Sequence, residues 1–265
     1  MKRNISIAVA VMIILGGIAA YFFWSGNQPE PETAQVQAPP PKPAPKVEVR
    51  QVIEAPPEAP PLPALADSDT FLLDALAGLI NNKSLMEFLV NERIIHRIVA
   101  TIDNLPRRRV PMSVMPVKRV PGKFLTSGKD DNLTISTQNA ARYAPYMKIA
   151  ETIDTKKLVG LYIHLYPLFQ EAYEGIGYPG KYFNDRLIVA LDDMLAAPDI
   201  NEPVKLVQPS VYYQFADPNL EGRSIGQRIM MRIGSKNEAV IKAKLNEIKQ
   251  ELKSHMREQK IEGAA

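Results

Sequence analysis

The densest collection of chemically able side chains in this chain lies between Tyr162 and Arg186. Tyr166, Gln170, Glu171, Glu174, Asp185 and Arg186 fall there, spread over two predicted helices and the turn between them. A helix–turn–helix could converge them on one polar cleft, the setting a carboxylate hydrolase or transferase needs. The competing reading is structural: Asp185 caps the second helix and tyrosine hydroxyls satisfy buried carbonyls. A second group is basic. Arg107, Arg108, Arg109, Lys118, Arg119 and Lys123 place six positive charges in a proline-spaced segment without one acid. Such an arm can lie on an anionic surface or an acidic partner; otherwise its charges pair with the chain's own acids.

Most familiar chemistries are excluded. There is no GxxxxGK or GxGxxG phosphate loop and no GxSxG elbow. The three histidines, His96, His164 and His255, never occur at metal-ligand spacing. His96 falls at the edge of an apolar helix face, His164 on a polar face near Glu171, and His255 in a terminal helix. Asp192 and Asp193 are adjacent, so on a helix they point about 100° apart and cannot act as a carboxylate pair. The absence of cysteine removes thiolate, CxxC and cysteine–zinc chemistry. No catalytic residue, metal ligand or cofactor is assigned. Basic residues outnumber acidic ones by only 27 to 24 over residues 67–265, so bulk nucleic-acid binding is not implied.

The elements that would hold these groups are mainly helical. Ser68-Asp69-Thr70 opens a helix through Ile80. Ser84 with Glu87 forms a capping box for a helix carrying Leu85, Phe88, Leu89, Ile95, Val99 and Ile102, stopped before Pro106. Pro106, Pro111, Pro116 and Pro121 recur every five residues, which predicts an extended arm over the bundle. Ser136 starts a helix that breaks or restarts at Pro145. Asp154 caps a helix with the stripe Leu158, Leu161, Tyr162, Leu165, Leu168, Phe169, Ala172 and Tyr173; the wide stripe predicts a central position. Pro167 lies on its opposite face and should kink it. Gly175 and Gly177 end it, and residues 182–196 form the next helix. Residues 203–215 read as a short hairpin or two extended arms. Asp217-Pro218 starts a helix that includes Ile225 to Ile233. Ser235 with Glu238 reads as a second capping box, opening a helix that runs to about Gln259.

Ahead of this body stand two further segments. Residues 1–4 carry Lys2 and Arg3, and residues 5–24 then run 20 positions without a charge, enough for one membrane-spanning helix. The next basic residue is Lys42, so the positive-inside rule keeps the N-terminus cytoplasmic and sends the rest across. The apolar run is longer than a signal-peptide core and ends in Tyr21, Phe22, Phe23 and Trp24, which favours a retained anchor over cleavage near Ala19. Residues 25–66 hold twelve prolines and read as a linker unable to form helix or sheet.

The runs Val99–Arg108 (VATIDNLPRR), Ala141–Tyr146 (ARYAPY), Leu165–Tyr173 (LYPLFQEAY), Tyr182–Arg186 (YFNDR), Leu206–Pro209 (LVQP) and Phe215–Pro218 (FADP) resemble the bacterial domain-of-unknown-function family 3014. The resemblance covers about residues 62–255. It implies a single-pass Gram-negative envelope protein with a proline-rich linker, and it brings no activity and no catalytic residues.

The expectation is therefore a mainly α chain: tip 1–4, transmembrane helix 5–24, linker 25–66, and a bundle-like helical periplasmic domain at 67–265 with an extended arm. Its expected role is a binding or scaffold module at the inner membrane. The partner would be another envelope protein or an anionic envelope surface. The alternatives are a cell-envelope hydrolase or transferase, and a chaperone-like factor for exported proteins. Oligomeric state stays open.

Overall fold

Helix N-termini expose four unpaired N–H groups, and where these find acceptors decides much of this chain's layout. The computed structural model describes residues 48–53, 61–80, 89–109, 114–118, 120, 122–200 and 203–261. The expected membrane helix, most of the linker, the Ser84–Glu87 box with Leu85 and Phe88, and Arg119 lie outside the described residues. No helix among the described residues is long and apolar enough to cross a membrane.

The described chain is mainly helical. Strand β1 is Glu48–Ile53, followed by α1 (Ser68–Ile80), α2 (Ile94–Asn104), β2 (Thr126–Ser127), β3 (Thr134–Ile135), α3 (Asn139–Arg142), α4 (Ala144–Thr152) and α5 (Thr155–Gly175). Then come α6 (Phe183–Leu195), β4 (Leu206–Val207), β5 (Gln214–Phe215), α7 (Pro218–Glu221), α8 (Ile225–Arg232), α9 (Ser235–His255) and β6 (Met256–Ile261).

Helix α5 is the central element. Asp154 caps it by accepting the Lys157 N–H at 3.0 Å, and every residue of the predicted stripe is buried. Val159, Ile163, His164 and Tyr166 are buried too, so the helix is covered on more than its apolar stripe. It packs on α2 and α9, while α6 fills the space between those two. The helix continues unbroken through Pro167, which is exposed. His164 departs from expectation. It is only 7% exposed and lies 6.2 Å from the Phe71 ring, because α1 covers that side of α5.

Five other local expectations are corrected. The second helix begins at Ile94, while Leu89 forms an antiparallel bridge with Val117. Its cap is remote: Asp69 on α1 accepts the Arg93 N–H at 2.6 Å and the Ile94 N–H at 2.8 Å. The segment from Asp217 to Ile233 is two helices, because the Ser224 hydroxyl accepts the Gln227 N–H and starts α8 afresh. The second capping box does not form. Gly234, at φ 92°, precedes α9, and Glu238 turns inward to pair with Lys242 at 3.1 Å. The last helix stops at His255, and Gln259 belongs to β6. That strand pairs antiparallel with β1, Glu48 opposite Ile261 through Ile53 opposite Met256. The proline-rich span thus contains a strand, and residues 46–55 are its proline-free stretch.

Residues 203–215 do form a hairpin, Leu206 opposite Phe215. A second hairpin, β2–β3, was not expected. Its turn needs Gly128 (φ 80°), where a Cβ would sit 2.2 Å from the Asn132 carbonyl oxygen. Ile135 donates to the Val204 carbonyl and Leu206 to the Leu133 carbonyl, joining the hairpins edge to edge. Beneath them lies a small apolar cluster of Leu206, Phe215 and Met231, separate from the main core.

Candidate functional site

The polar stretch on α5 and α6 comes together, but around helix ends. The Tyr166 hydroxyl donates to Gln170 Oε1 at 3.0 Å, and the same oxygen accepts the Phe183 N–H at 2.9 Å. Gln170 Nε2 donates to the Lys181 carbonyl and to Glu174 Oε1, each at 2.7 Å. Gln170 is therefore the cap of α6, reaching across from α5 because Tyr182 supplies no side-chain cap. Burial pushes the Tyr166 phenol well up, the nearby Asp185 charge adding to it. Asp185 stands in the first turn of α6, where a carboxylate suits the helix dipole. Glu171 and Glu174 are exposed. Glu171 bears on His96 across the α2–α5 interface, not on His164.

Arg186 leads to a residue that sequence reading passed over. Its guanidinium forms an ion pair with Asp103 at 3.0 Å and also donates to the Asp103 carbonyl. Arg107, one turn on along the chain, reaches the other carboxylate oxygen at 2.7 Å, and Tyr178 donates to it at 3.3 Å. The Asp103 side chain is 7% exposed. The network ties α2 to α6 and to the turn between α5 and α6. Its signal was present in the sequence: Asp103 and Arg107 sit in the run Val99–Arg108, and Arg186 closes Tyr182–Arg186. What was missing was their proximity.

A second network holds α8. Asp193 accepts from the Ser224 hydroxyl at 2.6 Å and from Gln227 Nε2 at 3.0 Å. Burial raises the Asp193 carboxyl, and these two hydrogen bonds oppose the rise. A third joins Glu221 to Arg228 at 2.5 Å and to Arg232 at 3.9 Å. Burial lowers the Arg232 guanidinium to about 10, the Glu221 charge opposing.

Of the basic arm, residues 105–108 form turns and bends at the end of α2, and residues 114–117 run back along α2. Thr101 Oγ1 donates to the Val114 carbonyl and Arg97 Nη1 to the Met115 carbonyl. Val90 donates to the Pro116 carbonyl, and Met115, Val117 and Val120 are buried. The cations divide into two kinds. Arg107 belongs to the Asp103 network. Arg108, Arg109, Lys118 and Lys123 are exposed and form no ion pair among the described residues. They are strung from the C-terminal end of α2 back past its N-terminal end, about 16 Å for eleven residues.

No group of three or more potential metal ligands exists among the described residues. A shallow groove of about 590 Å³ lies between α3–α4 and the start of α9, floored by Ala140, Ala141, Ala144 and Met147. None of the expected site residues lines it. No curated protein and no solved structure matches the chain. The family model described as "Protein of unknown function (DUF3014)" matches residues 94–249, over half of the chain and nearly all of the helices just described. Asp103, Arg107, Gln170 and Arg186 all lie inside that span, and the chain belongs to this family.

Proposed function

We propose that this chain is an inner-membrane-anchored periplasmic protein whose helical domain works as a binding or scaffold module for another envelope component. The observation that carries this reading is the contrast in charge pairing. Tyr166, Gln170, Glu174, Asp103 and Arg186 are engaged with one another or with helix ends, whereas Arg108, Arg109, Lys118 and Lys123 are exposed and form no ion pair among the described residues. Exposed cations in a line of this length suit an extended anionic face, since a compact single anion needs converging donors. The anchor at residues 5–24 and the proline-rich spacer support the reading from sequence. A tethered domain raises its own concentration near anything else fixed in the same envelope, so a weak surface contact is enough.

The test replaces Arg108, Arg109, Lys118 and Lys123 by Gln in the full-length chain and leaves Arg107 in place. Recovery of other envelope components with the detergent-solubilised chain should drop at low salt, with the difference shrinking as ionic strength rises, since exposed charges act within about 10 Å at about 0.1 M. Recovery equal to that of the original chain at every salt concentration would defeat the reading.

A further inference from the structure

Of the three histidines only His164 is buried, and it lies beneath the helix nearest the proline-rich span. It is 7% exposed, and its Nε2 is enclosed with no hydrogen-bond partner. A neutral imidazole tolerates such a place. An imidazolium does not, because it gives up its hydration and finds no acceptor in return. What shuts water out is α1. Its Phe71 ring stands 6.2 Å from the imidazole, and Leu72, Ala75 and Leu76 on the same helix are buried.

The elements packed around the ring supply no counter-ion. The short turn Leu65–Asp67 carries Asp67, α1 carries Asp69 and Asp74, and the start of α2 carries His96 and Arg97 after Arg93. Asp67 and Asp74 are exposed, Asp69 and Arg93 act on His96, and Arg97 is held by the Glu92 and Met115 carbonyls. On α5 itself the nearest charges are Lys157 and Glu171, each about two turns away. Helix α6 meets α5 through Tyr162 and Gln170, and α9 meets it through Thr155. Asp185 of α6 acts on Tyr162 and Tyr166, Arg186 pairs with Asp103, and Glu247 of α9 pairs with Lys244. Burial is the sole cause that moves the His164 imidazole below 6.5.

Helix α1 is also the element the body can most readily give up. It is the first α-helix after the proline-rich span and lies outside residues 94–249. It packs on α2 and, through Phe71, on α5. Its polar hold on α2 is Asp69, which accepts the Arg93 and Ile94 N–H groups.

We infer that α1 is an acid-released strap: protonation of His164 favours a state in which Ser68–Ile80 leaves α5 while the rest of the body stays folded. Above pH 6.5 the covered and the uncovered ring are both neutral, and α1 stays docked. As pH falls from there, the open state takes up a proton that the closed state holds less readily. A ring that returns to its ordinary 6.5 on exposure raises the open-to-closed ratio by up to about thirtyfold between pH 7.5 and 5.0. His96 opposes this in part, because its charged form is favoured by Asp69 on α1. Release uncovers the side of α5 beneath Phe71. The inference goes beyond the binding reading and stands whether or not the exposed cations meet a partner.

The experiment measures hydrogen exchange of the detergent-solubilised full-length chain at pH 7.5 and 5.0, each amide rate divided by its intrinsic rate at that pH. Protection across Ser68–Ile80 should fall about tenfold or more at pH 5.0, while α6 and α9 keep theirs. His164→Gln, neutral at both pH values, should abolish the fall, with His164→Leu as a second neutral variant should the first fail to fold. His96→Gln should preserve it. Unchanged protection of α1, an equal loss in α6 and α9, a fall that persists in the neutral His164 variant, or a fall abolished by His96→Gln would each overturn the inference.

Discussion

The α5–α6 polar region and the arm with its adjoining hairpins are built from similar side chains to opposite ends. In the first, Tyr166, Gln170 and Glu174 bond one another at the start of α6, and Arg186 pairs with the buried Asp103. In the second, Thr101, Arg97 and Arg232 hold backbone carbonyls, and Arg108, Arg109, Lys118 and Lys123 are exposed with no ion pair among the described residues. The lesson is that polar density in a helical segment marks helix ends and interfaces as readily as a catalytic cleft. On the proposed reading, a docking surface is marked instead by exposed cations that form no ion pair among the described residues.

The largest effect that would sharpen this comparison comes from Asp103. Asp103→Ala leaves Arg186 and Arg107 without their shared carboxylate; both arginines are partly exposed, so the lost charged hydrogen bonds cost about 1.5–3 kcal/mol. Thermal unfolding of the full-length chain should show a fall of several degrees, with recovery of other envelope components per folded molecule unchanged. A stable variant that no longer recovers those components would turn the network into a binding site and reverse the assignment of the two regions.

Asp69→Ala comes next. It strips both acceptors from the start of α2, and loss of a cap costs about 1–2 kcal/mol. Gln170→Ala should cost about as much by the same route at α6. Hydrogen exchange should report the loss first in the opening turn of the helix concerned. Uniform loss across the body would argue that these side chains are not acting as caps.

A smaller effect concerns pH. Burial lowers the His164 imidazole below its ordinary 6.5, with no charged neighbour contributing. Burial and Arg93 lower His96, opposed by Asp69 and Glu171. Both groups bind protons more readily when unfolded. Stability from this source is therefore complete above pH 6.5 and declines as pH falls from there toward the lowered folded values. Urea midpoints measured from pH 7.5 to 5 should decrease, and His164→Leu should flatten the decline. A midpoint independent of pH in both proteins would show that the histidines are accommodated when charged.

The smallest expected change in stability is in the arm. Arg108, Arg109, Lys118 and Lys123→Gln should shift the unfolding free energy by no more than about 0.5 kcal/mol, as surface substitutions without partners do. A loss several times larger would mean these cations are paired after all, and the contrast between the two regions would disappear.

Sequence determined what depends on near neighbours. The α5 stripe predicted a central helix, because apolar residues at helical spacing define one face wherever the helix lies. Asp154 predicted its own cap. Tertiary structure decided whatever depends on groups far apart in the chain. Asp69 begins α2 from 24 and 25 residues away, and Gln170 begins α6 from another helix. Asp103 acquires Arg186 across 83 residues. His164 was read as polar because its helix has a polar side, and only the position of α1 buries that side. A hydrogen bond needs a partner within about 3 Å whatever its place in the chain, and one-dimensional spacing records only those partners that lie close along it.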